Sequence, residues 1–420
     1  MPLFITQFFG AFNDNLLKNA LVILITYTLA NRIDYNPQFL VTIAAGVFIL
    51  PFFIFSALAG QLADKYDRAK ITRIVKIFEV IIMCLACIGF ALQSVLFLIF
   101  VLFLSGVHST FFGPIKYALL PQQLHPRELL VGNAYIESGT FLAILLGTIC
   151  GGILIIQTNG TYLVSLALLL AAILGLIASY FIPQAEPPMP KLKINYNLIR
   201  ETFKIIAYSR VNQQVFAAIL CISWFWFIGA TFLAQLPSYV KNYLHTEAKI
   251  VTLFLTIFSI GIGVGSIVCS KLLRGKIRMT YVPAAAIGMS IFIADLYIAS
   301  GDQVYFNLHG LLSYQRFLHM GVSWRISADL FFTAVCGGIY IVPLYTMLQH
   351  LADKNYLARI IAATNIFNAL FMVLSVLLTL VLLAINFTIP EIFLTIAVLN
   401  ILVLFAMWHR LRRRKRRSAQ

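Results

Sequence analysis

The sequence predicts an all-α membrane protein of 12 transmembrane helices, arranged as two six-helix bundles with both termini cytoplasmic. Three observations predict it. Of the 420 residues, 61% are hydrophobic and only 11% charged, a balance that no soluble domain of this length carries. Twelve apolar runs reach the roughly 20 residues needed to cross a bilayer. A single long polar segment, 184–210, containing Pro187, Pro188 and Pro190, divides those runs into six and six.

The runs fall at about 3–30, 38–63, 71–94, 96–120, 131–157 and 160–182, then 212–240, 250–272, 280–300, 327–350, 358–385 and 389–409. This gives an N-terminal bundle over 1–183, a cytoplasmic linker over 184–210, a C-terminal bundle over 211–409 and a basic tail over 410–420. Six, linker, six is the layout of two-bundle transporters. With both termini on one side, that side takes most of the 31 Lys and Arg residues, Lys65, Arg68, Lys70, Arg73 and Lys76 of the second-to-third loop among them. The other side keeps only Arg32, Lys241, Lys249, Arg316 and Arg325, and Lys18 and Lys116 lie within spans. Positive charge is enriched in cytoplasmic loops, so the termini and linker are placed in the cytoplasm. The net charge of +16 therefore reflects topology rather than nucleic-acid binding, and the tail from Arg410 to Arg417 reads as an anchor on anionic lipid. No basic, apolar, small-residue leader precedes the first span, so no cleavable signal is expected. The six cysteines, including Cys84 and Cys87, all fall in apolar runs, and no disulfide framework is expected.

The first span is the anomaly. Its middle reads Asn13-Asp14-Asn15-Leu16-Leu17-Lys18-Asn19. A charge at the centre of a bilayer costs about 2.5–3.5 kcal/mol on insertion scales. Asp14 and Lys18 are four apart and share a helix face, with Gln7 and Gly10 on the same stripe. Two readings are open: a helix lining a polar cavity, or an internal ion pair that neutralises two misplaced charges.

Other polar groups within spans are few. Lys116 and Tyr117 follow Gly113-Pro114 near the end of span 4. Pro114 interrupts the helical ladder, and Lys116 either snorkels to the interface or offers a cation to the cavity. Asn133 and Glu137 lie one turn apart on span 5, where Glu137 could pair with Lys116 or Lys18 or accept a substrate amine. Gly147 and Gly151 are expected as close-packing positions, and Gly261-Ile262-Gly263-Val264-Gly265 as a helix-packing segment. Asn365 and Asn368 make a polar face on span 11. Asp295 and Asp329 are expected at the outer membrane interface, and His309, Arg316 and His319 in a solvated outer loop. Gly113-Pro114-Ile115-Lys116-Tyr117 has a faint counterpart in Ile341-Val342-Pro343-Leu344-Tyr345, as a duplicated unit would leave.

The loop Gly60-Gln61-Leu62-Ala63-Asp64-Lys65-Tyr66-Asp67-Arg68-Ala69-Lys70 resembles the signature of the major facilitator superfamily, with Asp67 where the pattern has its second glycine. Glycine admits close helix approach, and Asp64 can pair with a basic residue or a helix N-terminus of the other bundle. Gly60, Asp64, Lys65 and Arg68 are the candidate gating residues. In the second half Cys269 stands where Asp64 would fall, which makes the latch one-sided. Ala11-Phe12-Asn13-Asp14-Asn15 together with Gly113-Pro114-Ile115-Lys116-Tyr117 is similar to the lysophospholipid transporter branch of that superfamily, especially to the transporter part of bacterial transporter–acyltransferase fusions.

That resemblance implies a flippase moving lysophospholipid from the outer to the inner leaflet of the bacterial inner membrane for reacylation, with Asp14 and Lys116 as head-group contacts. Asn15, Lys18, Tyr117, Asn133, Glu137 and Asn365 complete the candidate substrate-binding set. No His-x-x-x-x-Asp pattern follows any of the seven histidines, so a separate acyltransferase/acyl-carrier-protein synthetase is the expected partner, and neither catalysis, a metal nor a cofactor is expected of the chain itself. Two alternatives compete. One is a proton-coupled exporter of drugs or other amphiphiles, with Asp14 or Glu137 as proton carrier. The other, a membrane acyl-transfer enzyme, is disfavoured by the lack of a His/Asp pair in the spans.

Overall fold

A computed structural model describes residues 1–28, 37–247, 249–301 and 312–417, with side chains omitted at 27, 28, 37–39 and 407–417. Arg32, His309 and the tail side chains singled out above lie outside the described residues. Apart from one isolated bridge between Thr246 and Leu312, the regular structure among the described residues is helical. The helices are α1 (Pro2–Ile23), α2 (Pro37–Lys65), α3 (Arg68–Ala91), α4 (Val95–Gln123), α5 (Leu129–Ile155), α6 (Gly160–Tyr180) and α7 (Leu198–Ser209). They continue with α8 (Gln213–Ser238), α9 (Lys249–Leu273), α10 (Val282–Ser300), α11 (Tyr314–Leu318), α12 (Gly321–Leu351), α13 (Leu357–Ala384) and α14 (Ile389–Arg417). Short π-helical turns extend α1 over Leu24–Thr28 and α8 over Tyr239–Tyr243. All but α7 and α11 are long and apolar enough to cross a membrane, which gives 12 spans among the described residues. The protein is a multi-pass membrane protein.

The chain forms two compact units. One comprises Met1–Gly132, Gly139–Phe216 and Leu348–Ala369, the other Asn133–Ser138, Ala217–Met347 and Leu370–Gln420. In the first, α1 packs on α4 and α6, α2 on α4, and α3 on both α4 and α6. Their shared core includes Leu16, Leu17, Leu21, Met83, Phe90, Leu98, Leu102 and Leu168. α5 reaches α1 through two glycines. A Cβ on Gly147 would stand 2.4 Å from the Phe12 carbonyl oxygen, and one on Gly151 would stand 2.6 Å from that of Leu16. In the second unit, Gly261 and Gly265 bring α9 against the Phe331 and Val335 carbonyls of α12. Asn400 of α14 there accepts from Trp224 Nε1 at 2.9 Å and donates to the Ala286 carbonyl at 2.8 Å. Both glycine pairs are packing positions, as their sequence context predicts.

α3 shows how a bilayer inverts the usual amphipathic helix. Its exposed stripe is Ile74, Ile77, Phe78, Ile81 and Ile88, whereas Arg68, Thr72, Lys76 and Glu79 are buried. Lipid accepts the apolar stripe without cost, and ionic groups must find partners inside the bundle. α7 lies in the segment read as a linker. Asn197 caps it by accepting from Arg200 N at 3.0 Å. Glu201, Ile205 and Ser209 form its buried stripe at a spacing of four, and Ile205 packs with Ala57 of α2 and Ala362, Ala363 and Ile366 of α13.

The close contact at Gly147 predicts that Gly147→Ala lowers stability by about 1–3 kcal/mol through overpacking. Gly229 has no neighbour within 4 Å of an added Cβ, and Gly229→Ala is expected to stabilise by up to about 1 kcal/mol through helix propensity. Melting of the purified chain in detergent, comparing both variants with the parent, checks the opposite signs.

Candidate functional site

Asp14 and Lys18 do not form an ion pair. The Asp14 carboxylate accepts instead from Ser105 Oγ of α4 at 2.5 Å and from Ser109 Oγ through a short hydrogen bond. The two serines are one turn apart on α4 and grip both carboxylate oxygens. Lys18 places its ammonium over the Phe48 ring of α2, 5.8 Å from the centroid, and Asn15 donates back to the Ala11 carbonyl of its own helix at 2.8 Å. The internal ion-pair reading of the first span is thus corrected. α1 carries an anion held by hydroxyls and, one turn on, a cation held by an aromatic face.

Beside this pair lies a second buried network that the sequence reading missed. Asn13 Nδ2 donates to Glu79 Oε1 at 3.0 Å. Lys76 Nζ donates to Glu79 Oε2 at 2.5 Å, and His108 Nε2 stands 3.4 Å from the same oxygen. Asn13, Lys76, Glu79 and His108 are all buried. Lys76, counted above with the loop charges, belongs to α3 two turns beyond its start and is fully inaccessible. The signal in the sequence was the spacing of Arg68, Thr72, Lys76 and Glu79, which puts four polar groups on one stripe of an otherwise apolar run. Gly10 of α1 leaves the room, since a Cβ there would meet Lys76 Nζ at 2.8 Å.

The remaining candidates lie on α4, α5 and α13. Lys116 is half-buried on α4, two turns inside its end at Gln123, with its ammonium 4.8 Å from the Tyr117 ring centroid. Tyr117 is buried, and its carbonyl accepts from Gln349 Nε2 at 3.0 Å. Asn365 of α13 sits against Gly113, where a Cβ would stand 2.6 Å from its Nδ2. Within the second unit Asn133 donates to Thr346 Oγ1 at 3.2 Å, and Glu137 is fully buried one turn along α5. Asp295 and Arg325 form a two-point pair at 2.5 and 3.0 Å. Asp329 is buried rather than interfacial, at 4% exposure, because α12 begins well before the expected start of its span and draws this turn into the fold.

The motif residues at the α2–α3 turn converge closely. Asp64 Oδ2 accepts from Arg359 Nε at 2.8 Å. Its Oδ1 accepts from Arg68 Nη2 at 3.1 Å and from the backbone N–H of Ala358, in the first turn of α13, at 3.2 Å. Asp64 thus takes both kinds of partner its motif allows, a basic side chain and a helix N-terminus, and all three groups lie within the first unit. Gly60 permits the contact, since a Cβ there would stand 2.9 Å from both Ala362 Cβ and Arg359 Cα. Arg68 also donates to the Ala63 and Ala118 carbonyls, each at 2.9 Å. Lys65 stands apart from this cluster, 5.4 Å from the Tyr66 ring centroid. Asp67, the departure from the pattern, caps α3 by accepting from Ala69 N and Lys70 N, with φ of −56°, so this turn has no need of glycine there. In the other half Cys269 is buried and its thiol meets the Ile339 carbonyl at 3.6 Å.

Removing one member of a fully buried ion pair leaves an uncompensated charge, at a cost of about 3–5 kcal/mol. Lys76→Met is therefore expected to destabilise by that amount, and Lys76→Met combined with Glu79→Gln to recover most of it. A double-mutant cycle of thermal unfolding in detergent measures both.

The family model described as Major Facilitator Superfamily matches residues 3–313. The chain is 26% identical over 355 residues to the lysophospholipid transporter LplT of Shigella dysenteriae serotype 1, covering 84% of this chain and 80% of that one. It is 26% identical over 358 residues to LplT of Citrobacter koseri, covering 84% and 81%. Among solved structures it is similar to the human organic anion transporter MFSD10, with TM-score 0.75 and 12% identity over 97% of this chain and 98% of that one. The proton:xylose symporter XylE gives 0.68 and 13% over 97% and 95%. At those identities the structural likeness is one of fold. By its twelve spans, its motif loop and a family match over most of its length, this chain belongs to the major facilitator superfamily.

Proposed function

We propose that this chain is a lysophospholipid flippase of a bacterial inner membrane, carrying lysophosphatidylethanolamine-like substrates from the outer to the inner leaflet by alternating access. The single observation that carries the reading is Asp14. It is a carboxylate in the middle of the first span, held by two neutral hydroxyls and by no cation within salt-bridge distance among the described residues. A carboxylate tied to hydroxyls and to no cation is the group in this span that an ammonium head group would pair with. The similarity to LplT proteins supports lysophospholipid as the substrate class.

In this reading Asp14 receives the ethanolamine ammonium. Lys18 and Lys116, whose ammonium groups rest on aromatic rings, supply positive charge for the phosphate. Asn15, Tyr117, Asn133, Glu137 and Asn365 are further head-group contacts. Asp64, Arg68 and Arg359, with Gly60 and Lys65, act as a latch that closes one access state and opens in the other. The termini and the 184–210 linker face the cytoplasm, and an acyltransferase on another chain receives the product.

Reconstitution in liposomes tests the reading. With labelled lysophosphatidylethanolamine in the outer leaflet, the wild-type chain is expected to protect the label from extraction by external albumin. Asp14→Asn and Lys116→Ala should each slow that protection by about tenfold or more, the equivalent of about 1.4 kcal/mol of head-group interaction. Protection no faster than in empty liposomes would exclude the flippase and favour export of another amphiphile.

A further inference from the structure

In the second unit, where α10 ends and α12 begins, two carboxylates come together. The two helices lie side by side and run in opposite directions. A Cβ on Gly288 of α10 would stand 2.7 Å from Cys336 Sγ of α12, and one turn on, Phe292 stacks on Phe332 with ring centroids 5.1 Å apart. The same register carried one further turn sets Asp295 opposite Asp329. Asp295 is tied to Arg325 by two hydrogen bonds, and both side chains reach solvent, at 34% and 45% exposure. Asp329 lies one turn deeper than Arg325 on α12 and is buried, and its Oδ2 has no hydrogen-bond partner. Thr333, a further turn along the same stripe, is buried too, and its Oγ1 has none either. Other buried threonines of this unit behave differently. Thr231, Thr346 and Thr379 each donate to the carbonyl four residues back. The Thr333 hydroxyl leaves its own helix unbonded and forms no hydrogen bond with Asp329.

We propose that Asp295, Asp329 and Thr333 form a binding site for a monovalent metal cation, sodium by its charge and size. Charge decides the valence. The charged groups that act on Asp329 are Asp295 and Arg325, so two anions share one cation, and among the described residues the cluster is short of a single positive charge. A buried carboxylate left uncompensated is strongly destabilising. The donors decide the kind of ion. All are oxygens, which suit a hard cation and not zinc or copper. Geometry favours a metal ion over a proton. A proton joins two oxygens only when they stand within hydrogen-bond reach and alignment, and Asp329 Oδ2 and Thr333 Oγ1 are not joined in that way. A cation of this size makes bonds to oxygen of about 2.4 Å. It therefore spans oxygens nearly twice that far apart and takes both, with an Asp295 oxygen as a third ligand. The site has an entrance and a floor. Asp295 and Arg325 stand on the solvent side, and the stacked Phe292 and Phe332 rings lie one turn deeper. Bound there, the ion joins α10 to α12 through ligands from both helices.

The inference stands apart from the proposed function, because it concerns ion binding by the chain alone. Its test is the binding of radioactive sodium to the purified full chain in detergent, at a pH of about 8, where carboxylates are ordinarily ionised. Choline replaces sodium so that ionic strength stays at about 0.15 M. The wild-type chain is expected to bind sodium saturably and to melt at a higher temperature in sodium than in choline. Asp329→Asn should lose the binding, and its melting should no longer distinguish the two cations. In choline this variant should melt above the wild-type chain, because the uncompensated anion is gone, and that sign separates a lost ligand from a damaged fold. Thr333→Val keeps the charge and the shape of the side chain, and it serves where the asparagine variant does not fold. It should weaken sodium binding by about tenfold or more. Absence of saturable sodium binding by the wild-type chain, or binding unchanged in either variant, overturns the proposal, and the first result assigns the missing charge to a proton. Calcium that displaces sodium at much lower concentration overturns the monovalent assignment.

Discussion

The interaction on which the rest depends is the pairing of ionic groups that the bilayer will not solvate. Three carboxylates of the first unit, Asp14, Asp64 and Glu79, are all but withdrawn from solvent. Each is met by donors from a different helix: Ser105 and Ser109 for Asp14, Arg359 and Ala358 for Asp64, Asn13 for Glu79. A buried charge without such donors costs several kcal/mol, so these contacts fix helix rotation more firmly than apolar packing can. Apolar side chains are equally content against lipid or against another helix. The polar stripe of α3 must face α1 and α4, and that requirement turns Ile74, Phe78 and Ile81 outward.

Close approach of backbones is the second requirement, and it serves the first. Gly10 makes room for the Lys76 ammonium, Gly60 lets α2 reach the first turn of α13, and Gly113 receives the Asn365 amide. At each place a polar contact needs a distance that a side chain on the facing helix would prevent. The linker adds to the cluster at Asp64. Met189 N donates to the Asp64 carbonyl at 2.9 Å, its sulfur accepts from Arg359 Nη2 at 3.0 Å, and Asn195 exchanges two hydrogen bonds with Gln61. Tyr208 of α7 stacks on Tyr356 with centroids 4.3 Å apart, and the Arg359 guanidinium lies 3.9 Å from the same Tyr356 ring. The segment after α6 is therefore fastened to Asp64, Arg359 and Gln61 rather than hanging free of them.

Much of this was legible in the sequence, for reasons that differ by feature. The spans were legible because bilayer thickness sets helix length, and the glycine segments were legible because small residues in apolar runs mark helix contacts. Asp14 and Asp64 stood out in the sequence because a carboxylate in or beside a span needs a reason to be there. Their partners were not. Ser105, Ser109 and Arg359 lie far along the chain and are ordinary residues in their local context. Lys76 was misassigned because a lysine near the end of a span resembles a loop charge when only distance along the chain is counted. Glu79 and His108 escaped notice because a lone ionisable residue in an apolar run is conspicuous only when its partner is known.

The sequence by itself determined the all-helical membrane class, the number of spans and the positions where charge enters them, because those follow from composition and period along one dimension. Only the tertiary structure decided that Asp14 rests on hydroxyls and not on Lys18, that Glu79 gathers Lys76, His108 and Asn13, and that Asp64 meets Arg359. The physical reason is that a short-range contact depends on how each helix is rotated and how closely its neighbours approach. Those variables are set jointly by every buried polar group and every missing Cβ in the unit, and no single stretch of sequence contains them.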